Sequence, residues 1–209
     1  MIAEKIAEIL LECDAVKLNV KNSFTYSSGL KGPIYTDNRV LISYPKERKI
    51  IVDAFMSMLK ERGLKPDYLA GTSTAGIPWA SFLAQQADLP MVYVRPKPKE
   101  HGAGKQVEGM LKKSQNVLVI EDLVTTGGSA INTVKVLRNE GGCMVHDVFA
   151  IFSYGLAKSE EAFRAESVAL TTLTDIDVLL GVALKRGDIT EEEAKKVRKF
   201  RTDPEGWWK

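Results

Sequence analysis

Two adjacent carboxylates, Glu121 and Asp122, follow four apolar residues, Val117, Leu118, Val119 and Ile120. They run on through Leu123 and Val124 into Thr125-Thr126-Gly127-Gly128-Ser129. Neighbouring acids accept hydrogen bonds from vicinal hydroxyls, and a run of small residues lets backbone N–H groups close around a phosphate. A sugar phosphate satisfies both at once. The plain alternative is a buried strand ending in a solvated turn with two ordinary surface acids. An ATPase strand of the Walker type is a third reading, but it needs Gly-x-x-x-x-Gly-Lys-Ser/Thr upstream. The nearest stretch, Gly102-Ala103-Gly104-Lys105, lacks the first glycine at that offset and continues with Gln106. The Walker reading is rejected.

Positioning these groups takes a strand, a tight loop and a helix. Unbroken β-branched and aliphatic residues over 117–120 suit a strand buried on both faces of a parallel sheet. After the loop, Ala130, Ile131, Val134 and Leu137 repeat at helical spacing until Gly141-Gly142. The acids then stand at the carboxyl end of a strand, where open α/β sheets bind ligands. The same logic recurs upstream: Tyr68-Leu69-Ala70-Gly71 is short and apolar, Thr72-Ser73-Thr74-Ala75-Gly76 is a second small-residue loop, and a helix is predicted from Ile77 to Ala87. That loop is a candidate for a second anion.

Pro90 to Val94 reads as a further strand feeding Arg95-Pro96-Lys97-Pro98-Lys99-Glu100-His101-Gly102-Ala103-Gly104-Lys105-Gln106-Val107-Glu108-Gly109. No apolar periodicity ties this stretch down before Met110. A loop this long is a functional lid or a solvated link. Its cations complement a site that releases an anion, which favours the lid. Elsewhere, helices are predicted over 2–12, from Pro45 to about Arg62 and over 160–165. Strands are predicted over 148–152 and 168–173. Two C-terminal helices open at Thr174 with Asp177 and at Thr190 with Glu193, both read as capping boxes. Turns at Ser27-Ser28-Gly29 and Gly32-Pro33 break residues 24–39 into short β-rich pieces. The basic face of the last helix, Lys195, Lys196, Arg198, Lys199 and Arg201, reads as solvated surface.

Length and composition set the bounds. With 209 residues, 44% apolar and 27% charged, the chain suits one globular domain without internal repeats. A net charge of +2 gives no global field for nucleic acid or an anionic membrane. Tyr68 to Ala87 is uncharged, but its glycines, proline and hydroxyl residues make a poor membrane span. An acid at Glu4 and no long apolar run at the N-terminus argue against a targeting peptide. Cys13 and Cys143 are too few for a disulfide framework, which fits a reducing cytoplasm. Cys13 reads as a core filler. His101 and His146 have no metal-ligand spacing, so no structural zinc is expected.

The stretch 117–129 resembles the phosphoribosyl-pyrophosphate (PRPP) motif of type I phosphoribosyltransferases. Two further segments narrow the resemblance to the orotate phosphoribosyltransferases, and it extends over nearly the whole chain. One is Phe24-Thr25-Tyr26-Ser27-Ser28-Gly29 with Pro33-Ile34-Tyr35-Thr36-Asp37-Asn38-Arg39; the other is Arg95-x-x-x-Lys99-x-His101-Gly102. The resemblance implies an α/β fold of type I: a mostly parallel central sheet flanked by helices, with a small N-terminal hood. It implies one domain, with the hood over about 1–40, the core over about 45–173 and C-terminal helices over about 174–209.

It also implies roles. Arg95, Lys99 and His101 are the catalytic cations and contact PRPP. Glu121, Asp122, Leu123, Val124, Thr125, Thr126, Gly127, Gly128 and Ser129 complete the PRPP site. Thr125, Tyr35 and Thr36 face orotate, and Lys31 meets its carboxylate in place of a lysine that many members carry at the position of Ser27. Ser153-Tyr154-Gly155 lacks an arginine that some members use there, Ala75 lacks a lysine of the second loop, and Pro96 replaces a lysine of the lid. The second loop is the pyrophosphate loop, with a non-proline cis peptide expected at Ser73–Thr74. Mg²⁺ is the implied cofactor, carried on substrate oxygens with no side chain assigned as a metal ligand. The lid closes over a neighbouring subunit, which implies a cytoplasmic homodimer with shared sites, binding neither nucleic acid nor membrane. Transfer to a purine, or PRPP sensing without catalysis, are the competing functions. The hood segment speaks against the first and the cationic lid against the second.

Overall fold

The computed structural model describes residues 1–26, 29–98, 104–203 and 205–208. Lys99 and His101, and the Ser27 position of the hood, lie outside the described residues. Among the described residues the strands β5 (Tyr68–Thr72), β6 (Met91–Val94), β7 (Val107–Glu108), β8 (Val117–Val124), β9 (Asp147–Ser153) and β10 (Ala169–Asp175) form one sheet in the order β10-β9-β8-β5-β6-β7. All neighbours are parallel except β7, which runs antiparallel to β6. β5 and β8 are adjacent, yet the chain leaves β5 towards β6 and leaves β8 towards β9, in opposite directions across the sheet. The sheet therefore opens a crevice beyond the carboxyl ends of β5 and β8.

Two apolar layers hold the sheet. One face packs α1 (Ile2–Glu12), α2 (Pro45–Glu61), α3 (Gly76–Ala87) and α6 (Ile176–Arg186) over Leu118, Ile120, Phe149 and Ile151. The other packs α4 (Gly128–Asn139) and α5 (Ala157–Ala165) over Val117, Val119, Val148 and Ala150. Alternate residues of β8 thus belong to opposite layers, as a central strand buried on both faces requires. At Gly76 the two elements touch: a Cβ there would run into the Ile120 carbonyl, so α3 starts against β8 only because that residue is glycine.

The hood comprises β1 (Val16–Leu18) paired with β4 (Ile34–Thr36), and β2 (Phe24–Thr25) paired with β3 (Lys31–Gly32), both antiparallel. A 3₁₀ segment, Asn38–Ser43, joins it to α2. The last helix, α7 (Glu191–Thr202), returns to this hood. Phe200 meets Tyr26 at a tilt and Trp207 edge on, and Trp207 Nε1 donates to the Lys31 carbonyl at 3.0 Å. Trp207 is buried and Trp208 is exposed, so only the first of the pair packs on the fold.

Two expectations are corrected, and two elements, β1 and the 3₁₀ segment, are added to those the sequence predicts. The cap of α6 is Asp175, accepting from the N–H groups of Asp177 and Val178, and Thr174 is a buried strand residue. An aspartate one residue later in sequence reaches the same orphan amides with a more strongly accepting oxygen. The stretch after Arg95 is tied down well before Met110, which is exposed: Val107 and Glu108 pair with Val94 and Tyr93. The Thr190–Glu193 capping box is present, and the Ser73–Thr74 peptide is cis.

Candidate active site

Glu121 and Asp122 stand at the carboxyl end of β8, in the crevice beside Thr72 at the end of β5. They are sunk deeper than rim acids, at 5% and 8% exposure. Glu121 Oε1 accepts the Asp122 N–H at 3.1 Å, and the Thr72 hydroxyl lies against Glu121 without a well-formed hydrogen bond. The Asp122 carbonyl accepts from Asn38 Nδ2 at 2.8 Å, which anchors the hood connection to the strand end. Burial, reinforced by the charge of Asp122, pushes the Glu121 carboxyl well above its ordinary range. Burial also raises Asp122, partly offset by its hydrogen bonds to Glu121 and the backbone and by the charge of Arg39. Arg39 itself is held in a fork by Asp37, at 2.6 and 2.8 Å.

The loop after β8 turns at Gly127, whose φ of 80° belongs to the left-handed region. A Cβ there would come within 2.9 Å of Phe163. Thr125, Thr126, Gly128 and Ser129 are exposed around this turn. No side chain caps the start of α4, so the first amides of that helix face the crevice without an internal acceptor. α3 also starts without a side-chain cap, above the Ser73–Thr74 peptide. The start of α4 borders a recess of about 240 Å³ lined by Thr72, Ser73, Arg95, Gly128 and Ser129. Ser73 Oγ is buried there with no hydrogen-bond partner.

Arg95 is fixed at the foot of the cationic stretch. Its N–H donates to the Gln106 carbonyl, Gln106 Nε2 donates back to its carbonyl, both at 2.9 Å, and its guanidinium lies 3.4 Å from Glu108. The described ends of the cationic stretch are therefore pinned together, and Lys97 and Lys105 are exposed.

On the hood side lies a larger cavity of about 600 Å³, whose walls include Tyr35, Thr36, Thr125, Tyr154, Phe200 and Arg201. Thr36 Oγ1 and the Tyr154 hydroxyl are 2.8 Å apart, and burial pushes the Tyr154 phenol up to about 12. The structure thus brings Tyr35, Thr36 and Thr125 together around one space. Lys31 is exposed and does not line it; its carbonyl is taken by Trp207. Sequence reasoning missed Asn38, Tyr154 as a wall, and Arg201. Asn38 sits between the charged Asp37 and Arg39, so the sequence pattern carries no signal that it is buried. Nothing in the charge pattern of α7 singled out Arg201.

Among the described residues, no group of three or more His, Cys, Asp or Glu side chains is placed to hold a metal ion. The hard oxygens present, Glu121 and Asp122 with the unpartnered Ser73 hydroxyl, suit a hydrated divalent cation carried by a substrate rather than an all-protein cage.

A phosphate cradle at a sheet switch point, beside paired acids and a pinned cationic loop, defines a phosphoribosyl-transfer site. Residues 42–179 match the family model for the phosphoribosyl transferase domain. The chain is 47% identical to the orotate phosphoribosyltransferase of Oceanobacillus iheyensis over 198 residues, 95% of this chain and 98% of that one. The Aeropyrum pernix orotate phosphoribosyltransferase structure superposes with a TM-score of 0.75 at 29% identity, covering 88% and 99% of the two chains. Leishmania donovani UMP synthase gives 0.79 at 26% identity; 96% of this chain matches 42% of that longer one. The chain belongs to the phosphoribosyltransferase family and, within it, to the orotate phosphoribosyltransferases.

Proposed function

We propose that the chain transfers the phosphoribosyl group of PRPP to N1 of orotate, giving orotidine 5′-phosphate and pyrophosphate in the synthesis of UMP. The single observation that carries this reading is the buried acid pair on β8, whose neighbour Thr72 lines a recess at the uncapped start of α4 and whose neighbour Leu123 lines the hood-side cavity. In the reaction the ribose C1–O bond breaks, its electron pair leaving with pyrophosphate, and the N1 lone pair of orotate forms the C1–N1 bond as the N1 proton is lost.

Each group has a task. The amides and hydroxyls of Thr125 to Ser129 hold the 5′-phosphate, and Glu121 and Asp122 accept from the ribose hydroxyls. Tyr35, Thr36 and Thr125 orient the base. Arg95, with Lys99 and His101 of the lid, neutralises pyrophosphate as it departs and excludes water from the oxocarbenium-like ribose. Magnesium carried on PRPP supplies further neutralising charge when bound. The lid of each subunit completes the site of a second copy, making a homodimer. The two buried free cysteines accord with a cytoplasmic setting.

The test is to supply Mg²⁺ and PRPP with orotate, guanine or hypoxanthine and follow loss of each base. Orotate turnover is expected, falling on the order of 10²–10³-fold in Lys99→Ala and stopping when the metal is chelated. Consumption of a purine instead would replace the substrate assignment, and PRPP binding without any turnover would leave only a sensor.

A further inference from the structure

We propose that Arg201, on α7, recognises the carboxylate of orotate. The inference rests on the orotate reading of the hood-side cavity and names the group that makes the cavity selective for an anionic base. Most of the wall is apolar or aromatic, with Leu30, Ile34, Leu123 and Phe200 among its residues. A carboxylate entering such a space gives up water and needs a charged donor in return. Among the described lining residues Arg201 carries the only cationic group. Its guanidinium stands at the corner after Tyr154, 3.7 Å from the position a Cβ on Gly155 would take.

The guanidinium is held, but not used up. Asp177 accepts Arg201 Nη1 at 2.8 Å, and the same carboxylate lies 3.5 Å from Arg198 Nε. Two arginines share one acid, so the cluster keeps a net positive charge. A planar fork with five donors spends one on Asp177 and retains others for a bidentate carboxylate. At 32% exposure the side chain is reachable from the cavity while shielded from bulk water. The hydrogen bond from Trp207 to the Lys31 carbonyl and the Phe200 ring contacts fix α7 against the hood, so the cation is part of a rigid wall.

The experiment compares orotate with uracil, the same ring lacking the carboxylate, in the full-length enzyme. In Arg201→Gln, kcat/KM for orotate should fall about 10- to 100-fold. The KM for PRPP should stay within about threefold, with the slow uracil reaction unchanged. Lys196→Gln, an exposed change on the same helix, should leave all three unaltered. Arg201→Lys keeps the charge but loses the fork, and should recover part of the loss. If Arg201→Gln melts early, Arg201→Lys carries the test through the same orotate-to-uracil ratio. Equal losses for orotate and uracil, or an unchanged orotate KM in both variants, would overturn the assignment. Failure of the wild-type enzyme to use orotate would instead overturn the function on which it rests.

Discussion

At Glu121, burial and the charge of Asp122 act in the same direction, so the folded chain binds a proton there more readily than the unfolded chain does. The sign of the consequence follows from proton linkage. Where the native state holds more protons, stability falls as pH rises from the ordinary carboxylate range through the raised value. An ionised Glu121 therefore costs the unliganded fold stability at neutral pH. That cost is the reverse of the usual salt-bridged acid, such as Asp37, whose carboxyl is held low by Arg39. Glu121→Gln removes the charge and keeps the shape. It should raise the melting temperature at about pH 8, with the gain shrinking towards about pH 5 as the wild-type group takes up its own proton. Orotate turnover should fall in the same variant. Melts across that range check it; a variant less stable than wild type at every pH would show that the carboxylate stabilises the fold.

Between residue and domain, the loop from β8 into α4 shows how one backbone angle sets a ligand surface. Gly127 combines a left-handed φ with a close approach to Phe163 of α5, so an added methyl meets strain and a ring together. Gly127→Ala should cost about 1–3 kcal/mol. Phe163→Leu in the same chain should return the steric part, giving a favourable coupling in a double-mutant cycle read by chemical denaturation. Additive losses would mean that the angle alone decides. This element was legible in the sequence because small residues and an apolar run are local signals. The same holds for α1, α2, α3 and the Thr190–Glu193 cap. β1 and β7 were not legible: three and two residues long, they are strands only because Ile34–Thr36 and Tyr93-Val94 lie beside them. Arg201 was hidden for a related reason. A helix face of five basic residues looks uniformly solvated until the hood packs on Phe200 and leaves one of them at the cavity wall. Likewise the Lys31 side chain was placed by its chain position, whereas the strand pairing with Phe24-Thr25 leaves it exposed.

For the whole molecule, the sheet and its two apolar layers fix the acids, the first amides of α4 and the hood-side cavity on one edge, while the described ends of the cationic stretch are tied together through Arg95 and Gln106. Under the proposed function, the cationic stretch of one copy closes over the floor of its neighbour. In a shared-site dimer, each site draws Glu121 from one subunit and Lys99 from the other. Lys99→Ala and Glu121→Gln proteins would each be nearly inactive alone. Mixed and allowed to exchange subunits, a hybrid dimer pairs an intact floor with an intact lid at one of its two sites and concentrates both defects in the other. Random exchange makes about half the dimers hybrid, so activity should recover to about a quarter of wild type. The recovery should appear with the kinetics of subunit exchange and vanish if the copies are cross-linked before mixing. Activity that stays at the sum of the separate proteins, with exchange verified by a labelled subunit, would mean that each chain closes its own site.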